Sequence, residues 1–180
     1  MEPVGLSFSH VGIFVHDMEL MEDFYTRVLE FTVTDRGVSP ERTIVFLSRD
    51  PREHHQIVLA TGRPAELGFN VINQISMRCD SLSTLKDFYQ RMLREPAVRS
   101  VDSVSHGNAL SVYAPDPEGN RLEIFWDLPY YTLQPERIPF DLGREDAVIL
   151  AEAEAISRSL PQFSTREDWV GRMAARMAQS

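Results

Sequence analysis

Apolar positions divide the chain into short β-rich runs and a few longer stretches of helical spacing. Phe8 to Val15 is one such short run and predicts a strand. Asp17 follows as an N-cap, and Met18, Met21, Phe24, Tyr25, Val28 and Leu29 then recur at helical spacing. Phe31 to Asp35, Thr43 to Ser48 and His55 to Ala60 predict three further strands, separated by turn signals at 37–41 and 50–53. After a short linker, Pro64 to Asn70, the same order returns. Val71 to Arg78 predicts a strand, and Asp80 or Ser81 caps a helix running through Leu93. Strands at 98–104, 109–114 and 121–126 follow, with turns at 106–108 and 116–119. Beyond Leu133 the pattern changes. A helix is predicted over 146–159, and Ser164 with Glu167 forms a capping box that opens a last helix to about Met177.

The recurring order reflects a repeat. Asp23-Phe24-Tyr25-x-Arg27-x-Leu29 returns as Asp87-Phe88-Tyr89-x-Arg91-x-Leu93, and the same shift sets His10 against Gln74. Residues 6–64 and 70–132 therefore form two βαβββ modules, and 133–180 a C-terminal helical extension. The expected fold is α+β: paired modules forming a curved mixed sheet around one metal or ligand cleft. The extension should pack on the sheet or on a partner subunit. A homodimer is expected, because sheets of this kind commonly bury an edge or face against a partner.

Composition narrows the partners. Across 180 residues the apolar fraction is 43%, ordinary for a globular protein, and the net charge of −9 argues against nucleic acid. A single cysteine, Cys79, excludes an intramolecular disulfide and makes the cytoplasm the default compartment. No apolar run reaches membrane-spanning length and no secretion signal opens the chain, so no membrane partner is expected.

Several polar residues stand where chemistry is possible. His10 and Gln74 occupy matching places in the two modules, and Glu123 lies in the last strand of the second. His54, His55 and Gln56 lie in the last strand of the first. From the residues alone, His10 reads as a core histidine or a ligand, and Gln74 as a structural amide or a ligand. Glu123 shares a strand face with Arg121 and reads as a ligand or a solvent-facing residue. His54 reads as a surface residue pointing away from His55, and residues 116–119 chiefly as a turn. Trp126, Tyr130 and Tyr131 either line a pocket or anchor the extension.

The repeat, the run Asp116-Pro117-Glu118-Gly119-Asn120-Arg121-Leu122-Glu123 and the run His54-His55-Gln56-Ile57-Val58-Leu59 resemble the vicinal oxygen chelate superfamily over residues 6–130. That superfamily includes glyoxalase I, fosfomycin and bleomycin resistance proteins and type I extradiol dioxygenases, and the nearest likeness is to the last. The resemblance implies a metal-dependent, catechol 2,3-type ring cleavage of a catechol-like aromatic. It implies a divalent metal, Fe(II) first, with Mn(II), Zn(II) or Ni(II) as alternatives. His10 matches the first ligand and Glu123 the carboxylate, while Gln74 stands where the dioxygenases carry a second histidine. An amide oxygen is a weaker ligand for Fe(II) than imidazole, although some glyoxalase I enzymes use one. His55 resembles the acid/base histidine, Tyr113 the tyrosine that hydrogen-bonds the catecholate, and His106 a histidine near the substrate. Gln56 lies where glyoxalases place a fourth, acidic ligand. Two other readings stay open: a metal-dependent isomerase, lyase or transferase, and a metal-free protein that binds a small molecule.

Overall fold

A computed structural model describes residues 5–66 and 69–179; residues 67 and 68 of the linker lie outside the described residues. The first module runs β1 (Val11–Val15), α1 (Met18–Asp23), β2 (Thr32–Val38), β3 (Thr43–Ser48) and β4 (Ile57–Thr61). Asp17 caps α1 by accepting the Leu20 N–H. After Asp23 the helix widens to π-helical winding over Phe24–Val28, with Leu29 N–H bonded to the Phe24 carbonyl. The second module runs β5 (Ile75–Arg78), α2 (Leu82–Arg94), β6 (Asp102–Ser105), β7 (Ala109–Pro115) and β8 (Arg121–Asp127). Ser81, rather than Asp80, caps α2 by accepting the Thr84 N–H. β9 (Tyr130–Tyr131) closes the second module, and the extension supplies β10 (Ile138–Pro139), α3 (Asp146–Ser159), β11 (Ser164–Thr165) and α4 (Arg166–Met177).

Each module forms its own mixed sheet. The first has the order β1-β4-β3-β2, and the second β10-β6-β7-β8-β5. In both, the opening strand runs parallel to the closing one (β1 with β4, β5 with β8), because a helical crossover returns the chain in the same direction. The opening strands β1 and β5 are consequently sheet edges. The second sheet gains a fifth strand, β10, from the extension. Trp169 stacks on Tyr131, and Phe163 packs on Tyr130, so these two tyrosines anchor the extension. With Trp126, Tyr130 also lines a second cavity of about 710 Å³ against α3.

Several predicted boundaries move. β1 opens at Val11 and β5 at Ile75, so His10 and Gln74 each immediately precede an edge strand instead of lying within it. β4 opens at Ile57, which leaves His54, His55 and Gln56 in the preceding turn. His54 is exposed, as expected, but it does not point away from His55: their Nδ1 atoms lie 2.8 Å apart. β6 covers 102–105 instead of 98–104, and β2 extends through Gly37, which the pattern places in a turn. Thr165, not Ser164, caps α4, its hydroxyl accepting the Asp168 N–H.

One hydrophobic core runs through both modules and into the extension, from Met21, Phe24 and Tyr25 through Leu85 and Met92 to Phe140, Leu142, Ile149 and Ala153. A polar latch fastens the modules to each other. Residues 116–119 do form a turn, with Gly119 at φ 84° bonded back to the Asp116 carbonyl. The turn also reaches into the first module. Glu118 Oε1 accepts the backbone N–H groups of His16 (2.7 Å) and Asp17 (2.8 Å), and Glu118 Oε2 meets Arg63 Nη1 at 3.2 Å. The buried Asp116 accepts from Asn120 and from the Tyr25 hydroxyl.

Cys79 packs beside this core at the end of β5, where its N–H donates to the Phe125 carbonyl. Burial pushes its thiol up to about 11, so the reactive thiolate is scarce at neutral pH and grows only as pH rises toward that value. Alkylation by iodoacetamide at pH 8 should run at least ~10-fold slower in the native protein than in the urea-unfolded chain. Equal rates would contradict this burial.

Candidate active site

The site is built on one face of the second sheet. Hairpin register places Tyr113 opposite Glu123, and the parallel ladder places Ser76 opposite Glu123 from the other side. Side chains alternate along a strand, so Ser111 and Tyr113 share this face with Arg121 and Glu123. The buried Glu123 carboxylate collects four donors. Its Oε1 accepts from Ser111 Oγ (2.8 Å) and Tyr113 Oη (2.6 Å), and its Oε2 accepts from Ser76 Oγ (2.6 Å) and Gln74 Nε2 (2.8 Å). Burial pushes this carboxyl up, but the hydrogen bonds from Ser76, Tyr113 and Ser111 outweigh it and hold Glu123 below the usual carboxylate range. The Tyr113 phenol is pushed well above its ordinary value, first by burial and then by its bond to Glu123, so it stays protonated and donates.

His106 completes the group. Its Nε2 lies 3.1 Å from Tyr113 Oη and 3.7 Å from Glu123 Oε1. The guanidinium groups of Arg121 and Arg137 sit over the Tyr113 ring, at 4.3 and 5.4 Å from its centroid. His106 is carried on a sharp turn that depends on Gly107. That residue has φ 73°, and a Cβ there would fall 2.5 Å from Leu160 Cδ1 and 2.6 Å from Thr132 Oγ1.

The first module contributes a separate cluster. The His10 ring packs edge-on against His55, with centroids 4.1 Å apart, and His55 in turn meets His54 and Phe46. Burial, followed by the neighbouring imidazoles of His10 and His54, pushes His55 below the usual histidine value. Gln56 is committed elsewhere, its Oε1 accepting the Arg49 N–H at 2.9 Å. A groove of about 1060 Å³ is lined by Ser9 and Val11 of the first module and by Gln74, Ser76, Thr84 and Phe88 of the second; His10, His55, Tyr113 and Glu123 are not among its lining residues.

Of the six residues singled out from the sequence, four are thus brought together: Gln74, His106, Tyr113 and Glu123. His10 and His55 meet each other but not that group. Among the described residues no three His, Cys, Asp or Glu side chains are placed to hold a metal. The donors nevertheless suit a divalent cation in kind: one carboxylate, one amide and imidazoles. Gln74 and Glu123 already face each other at 2.8 Å, and a turn of the Gln74 amide would offer its oxygen in place of its nitrogen. Two functional-looking residues escaped the sequence reading, Ser76 and Ser111. The hairpin register around the 116–119 turn, which pairs 113 with 123, was the available signal for Ser111.

Comparison with known proteins agrees with this architecture. A sequence description of the Glyoxalase/Bleomycin resistance protein/Dioxygenase superfamily matches residues 7–124. The chain is 30% identical over 122 residues to biphenyl-2,3-diol 1,2-dioxygenase 2 of Rhodococcus globerulus, an alignment covering 65% of this chain and 60% of that protein. Among solved structures, a glyoxalase/bleomycin resistance protein/dioxygenase domain from Frankia sp. matches with TM-score 0.59 at 19% identity, over 68% of this chain and 98% of that one. Glyoxalase I of Leishmania major matches with TM-score 0.54 at 22% identity, over 67% and 86%. The fosfomycin resistance protein FosX of Mesorhizobium loti matches with TM-score 0.52 at 16% identity, over 66% and 89%. These structural likenesses concern the fold; the match over residues 7–124 and the paired βαβββ architecture together mean that the chain belongs to the glyoxalase/bleomycin resistance protein/dioxygenase superfamily.

Proposed function

We propose that this protein is a metal-dependent ring-cleavage dioxygenase of the extradiol type, acting on a catechol-like aromatic. The observation that carries the reading is the assembly of Glu123, Tyr113 and His106, in which the Tyr113 phenol lies within hydrogen-bonding reach of both the carboxylate and the imidazole. The likeness to a biphenyl-2,3-diol dioxygenase supports it, although the chain spans only 60% of that relative's length. Members of the superfamily generally bind a divalent metal. Glu123 and Gln74 would hold it here; His10, the third donor that the family resemblance implies, lies with His55 outside this group. A bound divalent metal supplies a lowered pKa to a catechol hydroxyl and a fixed orientation beside O₂. Tyr113 donates a hydrogen bond to an oxygen anion, now that of Glu123 and in the complex that of the substrate. His106 Nε2 exchanges a proton with the Tyr113 hydroxyl, and His55 serves as a second acid/base group from the first module.

A second reading rests on a different observation. The Glu123 oxygens are already met by four protein donors, and His10 stands apart, an arrangement suited to a metal-free cleft that binds an aromatic molecule. Anaerobic loading with Fe(II), desalting and metal analysis separates the two, with His10→Ala as control. The expected result is about one iron per chain, lost in the variant, followed by O₂ uptake on adding a catechol. Catechol binding without retained metal would select the second reading. Retained metal without O₂ uptake would point to another metal-dependent reaction of the superfamily.

A further inference from the structure

Arginine keeps its charge at every ordinary pH, so a guanidinium drawn even halfway into a protein calls for an anion. Four arginines are half-buried among the described residues: Arg63, Arg121, Arg144 and Arg166. Three of them meet a carboxylate, Arg63 at Glu118, Arg144 at Glu152 and Arg166 at Asp127. Arg121 does not. Among the described residues no carboxylate lies within 4.0 Å of its guanidinium, and none of its N–H groups makes a hydrogen bond. Its guanidinium rests instead on the Tyr113 ring, with Cζ 4.3 Å from the centroid. Nor are its nitrogens sealed in, because Arg144 Nε is the only buried side-chain nitrogen or oxygen without a partner among the described residues. Arg137 stands over the same ring at 5.4 Å, but it pairs with Asp102 at 3.4 Å. Glu123, two residues on along β8 and on the same face, commits its oxygens to Ser76, Gln74, Ser111 and Tyr113. One positive charge is left over beside the phenol.

We propose that Arg121 is a specificity residue that recognises a carboxylate on the aromatic ligand, so that the preferred ligand of this site is a catechol carboxylate and not a neutral catechol. The planar fork of a guanidinium offers two parallel N–H donors that match the two oxygens of a carboxylate. Tyr113 presents its hydroxyl to Glu123 at 2.6 Å and its ring face to Arg121, so the two ends of one aromatic ring separate the carboxylate from the cation. A dihydroxybenzoate is built on the same scale, with oxygens on one side of a ring and an anion on another. A chain of net charge −9 repels anions in general, so an anionic ligand needs a local cation to receive it. The aromatic class of the ligand rests on the ring-cleavage reading; the demand for an anion rests on the unpaired guanidinium.

Anaerobic calorimetric titration of the protein, after Fe(II) loading and desalting, tests the proposal without turnover. The probes are 2,3- and 3,4-dihydroxybenzoate, each set against its methyl ester, which keeps the shape and removes the charge. At least one acid should bind about 10–100-fold tighter than its ester. Arg121→Gln should bring that ratio to within about 3-fold of unity, and Arg121→Lys, a point charge without the fork, should fall between. Equal binding of acid and ester by the wild type overturns the proposal before any variant is made, and so does a failure of every probe to bind. A ratio unchanged in Arg121→Gln overturns it as well. So does an equal loss for acid and ester, which would make Arg121 only a packing partner of Tyr113. Admission of air is a separate arm. Arg121-dependent preference for the acid without O₂ uptake sinks the ring-cleavage reading and leaves the anion site; O₂ uptake indifferent to the carboxylate does the reverse.

Discussion

Glu118→Ala should lower folding stability by about 3–5 kcal/mol, the usual consequence of removing one member of a buried ion pair. The side chains of Arg63 and Glu118 are only 10% and 7% exposed, so the guanidinium left behind could not be rescued by water. Its remaining partners, Asn70 and Asn120, are neutral amides. Glu118 also satisfies two backbone N–H groups, those of His16 and Asp17, at the entry to α1. Urea unfolding followed by tryptophan fluorescence gives the change directly. Glu118→Gln keeps an acceptor and should lose less. The double variant Arg63→Met, Glu118→Leu should recover much of the loss, because no charge is then stranded. A change below about 1 kcal/mol for Glu118→Ala would mean that the latch is solvated and that the core alone joins the modules.

Glu123→Ala should abolish metal retention and reduce catechol turnover by at least ~10²-fold, a size typical of losing a group that fixes charge at a reacting centre. The same change strands the hydroxyls of Ser111 and Tyr113, so a stability loss of about 2–4 kcal/mol should accompany it. Ser76→Ala serves as the comparison. It removes one donor from Glu123 and leaves the carboxylate, so metal retention should survive with a modest fall in affinity. Metal analysis after desalting, run beside urea unfolding, separates the two effects. Metal and turnover at wild-type levels in a folded Glu123→Ala would place the reacting centre away from the second sheet.

Much of this molecule is legible from the chain because its strongest signals are local. Asp17 and Ser81 announce their helices through capping, and the Asp-Phe-Tyr repeat gives the two modules. The limits of the strands are less legible. A β-rich run continues back through Phe8 and Val71, but the ladders begin only where a partner strand starts, at Val11 and Ile75. Glu118 reads as a turn residue because its partners, His16, Asp17 and Arg63, are distant in sequence. Tyr113, His106 and Glu123 lie close together because three consecutive antiparallel strands, β6, β7 and β8, and the turn between the first two carry them. His10 lies with His55 on the other module, and the placing of one module against the other is a long-range matter that no short-range pattern records.

The strand β10 has a consequence for how the sheet ends. It pairs with β6 through Ile138 and Pro139, opposite Ser105 and Val104. Proline has no N–H to offer, and so the ladder stops there instead of inviting another strand. A chain cut near residue 130 would keep both repeats but lay the β6 edge bare. Its unpaired N–H and C=O groups would then act as a template for the same edge of another copy. The few residues of β10 therefore also act as a solubility device, guarding the molecule against growing into a shared sheet.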